Sequence, residues 1–238
     1  MSADGSYDDA IATHYDAYRP PLHTLILSLL LENAERFDTG LDIGCGTGRS
    51  SAALQDYCRQ VIGIEPSHAM LGRAASHPDL HYVEGVGDSL PLTDSSVDIV
   101  TLAGVLYYAK TSAFVRELLR VSRPGAIVVA YDFDVRLDGV LSTLMPEIFV
   151  TPRPYDPTVN FSGENGLFEL MVRHKTVQLE MSAEQLAHVV LSNAERHRYC
   201  QIKFASLSPH AALAGVLGQH HARLEMSADI YYAKYRVG

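Results

Sequence analysis

The residues with the clearest chemical potential form a glycine-rich stretch, LDIGCGTG, at positions 41–48. Glycines stand at Gly44, Gly46 and Gly48, and Asp42 precedes them. A glycine turn between a strand and a helix lets a ligand approach the backbone closely, and glycine adopts a positive φ that strains other residues. The stretch therefore predicts a ligand-binding turn.

The spacing of these glycines helps to distinguish between classes of nucleotide ligand. A dinucleotide site prefers G-x-G-x-x-G, which would need a glycine at Arg49, whereas this chain reads G-x-G-x-G. Asp42 would repel a pyrophosphate but could accept hydrogen bonds from a cationic amino group. Glu65 ends the run QVIGIE about 20 residues after Gly44, where an acid commonly binds both ribose hydroxyls. These features together favour a nucleoside with an amino-acid end.

Strand-like and helical patterns alternate around this turn. Apolar runs at 40–43, 60–64, 80–84, 97–103 and 126–133 predict five strands, and most are separated by helical patterns. Alternation of this kind predicts right-handed crossovers and a parallel sheet. Two later strands, near 172–180 and 224–237, predict an antiparallel pair that ends the sheet. Helix starts are predicted at Ser182, which forms a capping box with Gln185, and at Ser208, which precedes Pro209.

Two segments extend this alternating pattern. An N-terminal helical segment is predicted over about 7–35, and an insertion over about 134–171 follows the fifth strand. The insertion combines a helical repeat of apolar residues, from Val140 to Phe149, with the proline-rich stretch TPRPYDPT. Because ligands of open α/β folds bind at the carboxyl edge of the sheet, we expect the insertion to cap the site. The whole chain, 1–238, is predicted to form a single domain.

Several motifs together resemble a known family. LDIGCGTG, VIGIEPSHAML, VEGVGDSLPL, SSVDIVTLAGVLYY and ELLRVSRPGA have the order and spacing found in class I S-adenosylmethionine-dependent methyltransferases, over roughly residues 10–133. With its Y-x-x-x-R-P element at 15–20, the chain most resembles the small-molecule methyltransferases of the ubiquinone/menaquinone and trans-aconitate type. The resemblance implies S-adenosyl-L-methionine as cofactor. It also implies a Rossmann-like α/β fold, with a seven-stranded, mostly parallel sheet, an antiparallel C-terminal strand pair, helices on both faces and a small cap.

The resemblance also implies which residues hold the cofactor. It assigns the methionine portion to Asp42, Gly44 and Gly46, with Cys45 in the same turn, the ribose hydroxyls to Glu65, the faces of adenine to Pro66 and Met70, the adenine edge to Gly87 and Asp88, and closure over the cofactor to Tyr15. One position departs from the family pattern, because Val86 stands where an acid often accepts a bond from the adenine amino group. Either Asp88 substitutes for that acid or the contact is missing.

Few residues need to act chemically in methyl transfer from a sulfonium, because positioning the acceptor in line with the methyl group contributes most of the acceleration. A base would help a hydroxyl acceptor, whereas an amine or a carboxylate needs none. The candidates for lining the methyl site are Tyr107 and, less favoured, Tyr108, just after the fourth strand. Tyr18 and Arg19 in the N-terminal element are the other catalytic candidates; they could close over the cofactor, with Arg19 meeting a carboxylate. No metal site is predicted, since His210, His220 and His221 are more typical of solvated helix ends.

Other functions stay open at this point. The same fold and cofactor could support a cyclisation or rearrangement in which no methyl group moves. An NAD-linked oxidoreductase is disfavoured by the glycine spacing and by Asp42, and a noncatalytic binding protein is the remaining alternative.

Composition limits the partners. The net charge of −9 argues against nucleic acid, which is bound by clustered lysine and arginine, so a small molecule is the expected partner. No apolar run approaches the roughly 20 residues that cross a bilayer, so no membrane insertion is expected. Three cysteines without a C-x-x-C pair fit a reducing compartment, and the acidic, polar start of the chain does not resemble a signal peptide. We expect a cytoplasmic monomer or homodimer.

Overall fold

The structure is a computed structural model that describes residues 11, 13–14, 17–31, 36–145, 155–205, 208–219 and 223–238. In these ranges seven strands form one sheet. The strands are β1 (Phe37–Ile43), β2 (Cys58–Glu65), β3 (Leu80–Glu84), β4 (Val97–Ala103), β5 (Ser122–Val135), β6 (Leu167–Met181) and β7 (Leu224–Val237). All seven strands that the sequence predicts are present.

The sheet has the strand order β3-β2-β1-β4-β5-β7-β6. β1 pairs in parallel with β2 and β4, and β3 and β5 extend the parallel part on either side. β7 runs antiparallel, because Arg136 N–H, beyond the end of β5, donates to Ser227 C=O near the start of β7. At its other end, Gly238 N–H donates to Gly166 C=O, just before β6. These pairings confirm the predicted fold class, and the order reverses between β1 and β4, where such sheets bind ligands.

Nine helices with defined bounds connect the strands within the described ranges. They are α1 (Leu22–Leu30), α2 (Arg49–Gln55), α3 (His68–Leu71), α4 (Leu106–Ala109), α5 (Ser112–Val121), α6 (Asp138–Leu144), α7 (Ala183–Leu191), α8 (Ala194–Phe204) and α9 (Pro209–Leu217). Residues 11, 13, 14 and 17 are helical as well. The predicted repeat of the insertion corresponds to α6, and its later positions, including Ile148 and Phe149, lie outside the described residues.

Helix starts follow the predicted capping chemistry. Ser182 Oγ accepts the Gln185 N–H at 3.2 Å, and Gln185 Oε1 accepts the Ser182 N–H at 2.9 Å, which completes the capping box of α7. Ser208 Oγ accepts the Ala211 N–H at 3.4 Å, and Pro209 is the first residue of α9. Both predicted starts are confirmed.

Helix α5 shows how the helices cover the sheet. Phe114, Leu118 and Val121 recur at helical spacing, and all three side chains are fully buried. They belong to a core cluster with Val100, Leu102 and other residues of the central strands. Burial of a large apolar side chain stabilises the fold by about 1.5–3 kcal/mol, so this face fixes α5 on the sheet.

The described residues divide into two compact units. The sheet unit contains β1 to β4 and the glycine turn, and it consists of the described residues within 21–133, 154–175 and 230–238. The helical unit contains α6 to α9, and it consists of the described residues within 1–20, 134–153 and 176–229. The predicted cap is divided, because 134–145 belongs to the helical unit and 155–171 to the sheet unit. The single domain and its cap stay predictions. Among the described helices, none has the length and apolar character needed to span a membrane.

Candidate functional site

The glycine turn joins β1 to α2 and has a left-handed backbone. Gly44 has φ +73° and Gly46 has φ +55°. A Cβ placed on Gly44 would lie 2.4 Å from Val105 Cγ2, so packing within the protein already requires glycine there. A Cβ on Gly46 would have Met70 Cε, at 3.4 Å, as its nearest neighbour. The turn therefore leaves room for a ligand above Gly46.

Asp42 fastens the turn to the elements around it. Its side chain has no exposed surface, and Oδ2 accepts hydrogen bonds from Ser50 Oγ and Ser51 Oγ, both at 2.6 Å, on α2. Oδ1 accepts a hydrogen bond of 2.9 Å from Thr101 Oγ1 on β4. Burial raises the pKa of the Asp42 carboxyl, and the three hydroxyl groups oppose this rise. Three hydroxyl groups thus surround a carboxylate that has no exposed surface, and the contact of Asp42 with a ligand amine stays a prediction.

Glu65 lies against the glycine turn. Its Oε2 accepts the Gly46 N–H at 3.2 Å, and its Oε1 accepts the Ser67 N–H at 3.0 Å. The half-buried carboxylate thus joins the turn to the loop after β2. A carboxylate has about four acceptor positions, so it could still accept ribose hydroxyls, and that role stays a prediction.

Cys45 lies in the turn itself, and Pro66 and Met70 follow β2. Pro66 is exposed, and Met70 is half-buried on α3, which Ser67 caps by accepting the Met70 N–H at 3.3 Å. Cys45 is buried, and burial first, then the charges of Asp42 and Glu65, raises the pKa of its thiol. The thiol is therefore neutral and packs inside the protein, which leaves the backbone of Cys45 to border the turn.

Gly87 and Asp88, which are predicted to lie at the adenine edge, both contact α5 or its N-cap. A Cβ on Gly87 would lie 2.4 Å from Phe114 Cδ2, so the contact with α5 requires glycine there. Asp88 Oδ1 accepts a hydrogen bond of 2.7 Å from Thr111 Oγ1, and Thr111 is the N-cap of α5. Val86 is 51% exposed. The adenine contact of Asp88 stays a prediction.

Tyr107 lies after β4 in a cluster of three tyrosine rings. Its ring centroid is 5.2 Å from that of Tyr108 and 5.0 Å from that of Tyr155. The Tyr155 hydroxyl donates to Asp132 Oδ2, and Asp132 is in the last part of β5. Sequence reasoning did not select Asp132. The feature that could have identified Asp132 is its position at the carboxyl end of β5, next to β4, where the strand order reverses and sheets of this kind bind ligands.

A cavity of about 290 Å³ opens beside Tyr107 within the sheet unit. Its wall combines the ends of β4 and β5 with the segment after β4, the loop at 156–160 and the middle of β6 and β7. The lining residues that matter here are Gly104, Val105, Tyr107, Tyr131, Asp132 and Tyr231. Val105 also contacts Gly44, so the cavity adjoins the glycine turn.

The remaining candidates belong to the helical unit or lie outside the described residues. Tyr18 and Arg19 are half-buried in the helical unit, and burial raises the pKa of Tyr18. Arg19 lies close enough to Arg196 to affect its pKa. Burial lowers the pKa of Arg196, Asp134 opposes this effect, and the positive charge of Arg19 adds to it. Tyr15 lies outside the described residues. The roles of Tyr18, Arg19 and Tyr15 stay predictions.

Comparison with known protein families matches the segment that contains the glycine turn. Residues 41–130 match the profile of the family described as "Methyltransferase domain". The chain carries a methyltransferase domain. This match agrees with the predicted resemblance to methyltransferases over the segment that it covers.

Curated relatives are similar to part of the chain. The chain is 32% identical over 115 residues to the demethylmenaquinone methyltransferase of Corynebacterium kroppenstedtii, covering 48% of this chain and 50% of that protein. It is 37% identical over 106 residues to the malonyl-[acyl-carrier protein] O-methyltransferase of Pectobacterium atrosepticum, covering 44% of this chain and 41% of that protein. The chain thus spans about half the length, or less, of the curated relatives it matches.

A solved structure shares the fold over nearly the whole chain. It is a protein of Anaeromyxobacter dehalogenans that was provisionally assigned as a type II methyltransferase. The TM-score is 0.67 at 22% sequence identity, and the match covers 92% of this chain and 98% of that chain. At this identity the similarity shows a common fold, and it includes elements beyond the methyltransferase domain.

Proposed function

We propose that the protein transfers a methyl group from S-adenosylmethionine to a small-molecule acceptor. The observation that carries the proposal is the open approach above Gly46, next to the Glu65 carboxylate, in a turn that also adjoins the cavity beside Tyr107. Relatives named for methyl transfer to demethylmenaquinone and to malonyl-[acyl-carrier protein] support this reaction type.

The residues of the turn fit the cofactor. The space that a Cβ of Gly46 would partly fill admits a ligand close to the backbone, and Glu65 would accept its ribose hydroxyls. Pro66 and Met70 would flank the adenine, with Gly87 and Asp88 at its edge. Asp42 would act on the turn through Ser50 and Ser51. When bound, S-adenosylmethionine supplies a methyl group on a positively charged sulfur, which is a good leaving group.

The protein's contribution to the reaction is then mainly to hold the acceptor in line with that methyl group. Tyr107, which lines the cavity next to Val105, would orient the acceptor. Tyr18 and Arg19 are proposed to close the site from the N-terminal element. We further propose a cytoplasmic enzyme that works as a monomer or homodimer without nucleic acid.

Titration calorimetry with S-adenosylhomocysteine tests the proposal. The purified chain, stripped of co-purified ligand, should bind this nucleoside and should not bind NAD. Glu65→Gln keeps the shape of the side chain but removes the charge that accepts the ribose hydroxyls. Because hydrogen bonds to charged groups contribute about 1.5–3 kcal/mol, binding should weaken by about 10- to 100-fold.

Asp38→Asn is the matched control, because Asp38 is an exposed acid on the same strand as the turn. It should bind S-adenosylhomocysteine as the wild type does. Absence of binding to the wild type would refute the proposal. Once an acceptor is known, equal amounts of S-adenosylhomocysteine and methylated product would separate methyl transfer from a cyclisation or rearrangement.

A further inference from the structure

Four histidine side chains come together within the helical unit, namely His14, His188, His197 and His210. We propose that two of them, His14 and His188, bind one copper(II) ion through their Nδ1 atoms. This site is independent of the proposed methyl transfer and adds a binding activity to it.

The four rings come from distant places in the chain. His188, His197 and His210 lie on α7, α8 and α9, which pack on one another, and His14 is helical in the segment before α1. The ring centroid of His188 is 5.2 Å from that of His14 and 3.9 Å from that of His210. Neutral imidazole is the commonest metal ligand in proteins, so a group of this kind has the chemistry to hold an ion.

The separation of two ring nitrogens carries the proposal. His14 Nδ1 lies 3.0 Å from His188 Nδ1. Two nitrogens bound to one ion at about 2.1 Å lie about 3.0 Å apart at a right angle and about 3.4 Å apart at the tetrahedral angle. The observed distance therefore fits the right angle of a tetragonal site, which is the geometry that copper(II) and nickel(II) prefer.

Without an ion, the same two atoms share one hydrogen bond, in which one ring donates and the other accepts. The accepting nitrogen already directs its lone pair at its partner. When the ion binds, the proton of the donating ring leaves Nδ1 and the other nitrogen of that ring, Nε2, takes up a proton. Both Nδ1 lone pairs then face the metal, and neither ring changes its charge.

His210 supports the pair from the side of His188. Its Nε2 lies 3.1 Å from Glu184 C=O, and because a carbonyl only accepts, Nε2 carries the proton. This bond holds the His210 ring against the ring of His188. Groups around a metal site commonly orient its ligands in this way, so the imidazole of His188 is placed before an ion arrives.

The number of ligands favours copper. No three His, Cys, Asp or Glu side chains among the described residues are placed to hold an ion together, so the pair supplies two nitrogens and water would occupy the other positions. Zinc sites use four protein ligands when structural and three when catalytic. Copper(II) has the highest affinity among divalent ions of its row for such ligands, and it accepts nitrogen and oxygen together in a tetragonal arrangement.

Calorimetric titration with copper(II) sulfate at pH 7.5, in a buffer that does not coordinate metals, tests the site. Wild type should bind one ion per chain with saturation. His14→Gln and His188→Gln each remove one nitrogen ligand, and each should weaken binding at least tenfold, since even the loss of a group that only orients a ligand costs 10- to 100-fold. His81→Gln removes an exposed histidine of the sheet unit and should bind copper as wild type does.

Electron paramagnetic resonance of the bound copper gives a second measurement. Wild type should show two coordinated nitrogens, and this signal should be absent from both single variants. His220 and His221 are adjacent in the sequence and form another possible pair of ligands. The double variant His220→Gln/His221→Gln should therefore keep both the affinity and the two-nitrogen signal.

Three results would overturn the inference: no saturable binding by wild type, equal affinity in wild type and the single variants, or loss of the ion from the double variant. If His14→Gln does not fold, as judged by circular dichroism, His188→Gln gives the same comparison. The number of coordinated nitrogens in wild type needs no substitution at all, and a spectrum without two of them would also overturn the inference.

Discussion

Acidification should destabilise the protein through a cluster of four histidines in the helical unit. His14 Nδ1 lies 3.0 Å from His188 Nδ1, a hydrogen bond that needs one neutral ring nitrogen as acceptor. The His14 ring centroid is 5.5 Å from that of His197 and 5.8 Å from that of His210. Protonation of His14 would place a positive charge among three other imidazoles.

The magnitude follows from the pKa of His14. Burial, followed by His188, His197 and His210, lowers this pKa from 6.5 to about 4. Because the folded state then binds the proton less tightly than the unfolded state, the stabilisation is fully present above pH 6.5 and is lost as the pH falls through 4. At about 1.4 kcal/mol per pKa unit the full loss is about 3 kcal/mol, and partial solvent access reduces it to about 1.5–3 kcal/mol. Burial and His210 also lower the pKa of His188, and Glu184 opposes this effect.

Urea unfolding at pH 7.5 and at pH 4.5 measures the effect. Wild type should lose about 1.5–3 kcal/mol more free energy of unfolding over this range than His14→Gln, which has no ring to protonate. His81→Gln, an exposed histidine of the sheet unit, should behave like wild type. Equal losses in wild type and His14→Gln would refute the reasoning.

Two further predictions concern the sheet unit. Gly46→Ala places a methyl group in the ligand approach, so calorimetry should show at least tenfold weaker binding of S-adenosylhomocysteine. Because φ is positive at this position, urea unfolding should also show a free energy of unfolding that is lower by about 1 kcal/mol. Gly139→Ala, in α6 and with open space around it, should leave that binding unchanged. Leu118→Ala removes most of a fully buried side chain of α5 and should reduce the free energy of unfolding by about 2–5 kcal/mol. A smaller loss would mean that neighbouring core side chains move into the space left by Leu118.

The sequence predicts the strands and helix starts well because their signals are local. The predicted strand at 80–84 and the capping box at Ser182 depend on neighbouring residues alone, and both agree with the structure. The position of Glu65 beside the glycine turn also follows from the parallel order of β1 and β2. Local pattern and fold rules are sufficient for these features.

Features made by distant residues were not predictable in the same way. The burial of Asp42 depends in part on Thr101, far along the chain, and the bond between Asp132 and Tyr155 depends on the path of a proline-rich loop. The contact of His14 with His188 joins positions separated by most of the sequence. Side-chain partners of this kind are decided by tertiary packing, which a single sequence does not specify.

The two main-chain bonds to Glu65 affect how a ligand would be received. Since the Gly46 and Ser67 N–H groups already donate to both carboxylate oxygens, Glu65 is oriented before any ligand arrives, if it binds the ribose as proposed. The entropy cost of ordering the Glu65 side chain is therefore part of folding, and it does not recur each time a ligand binds. A catalyst that must release a used nucleoside and admit a fresh one in every cycle benefits from a receptor that needs no rearrangement between the two.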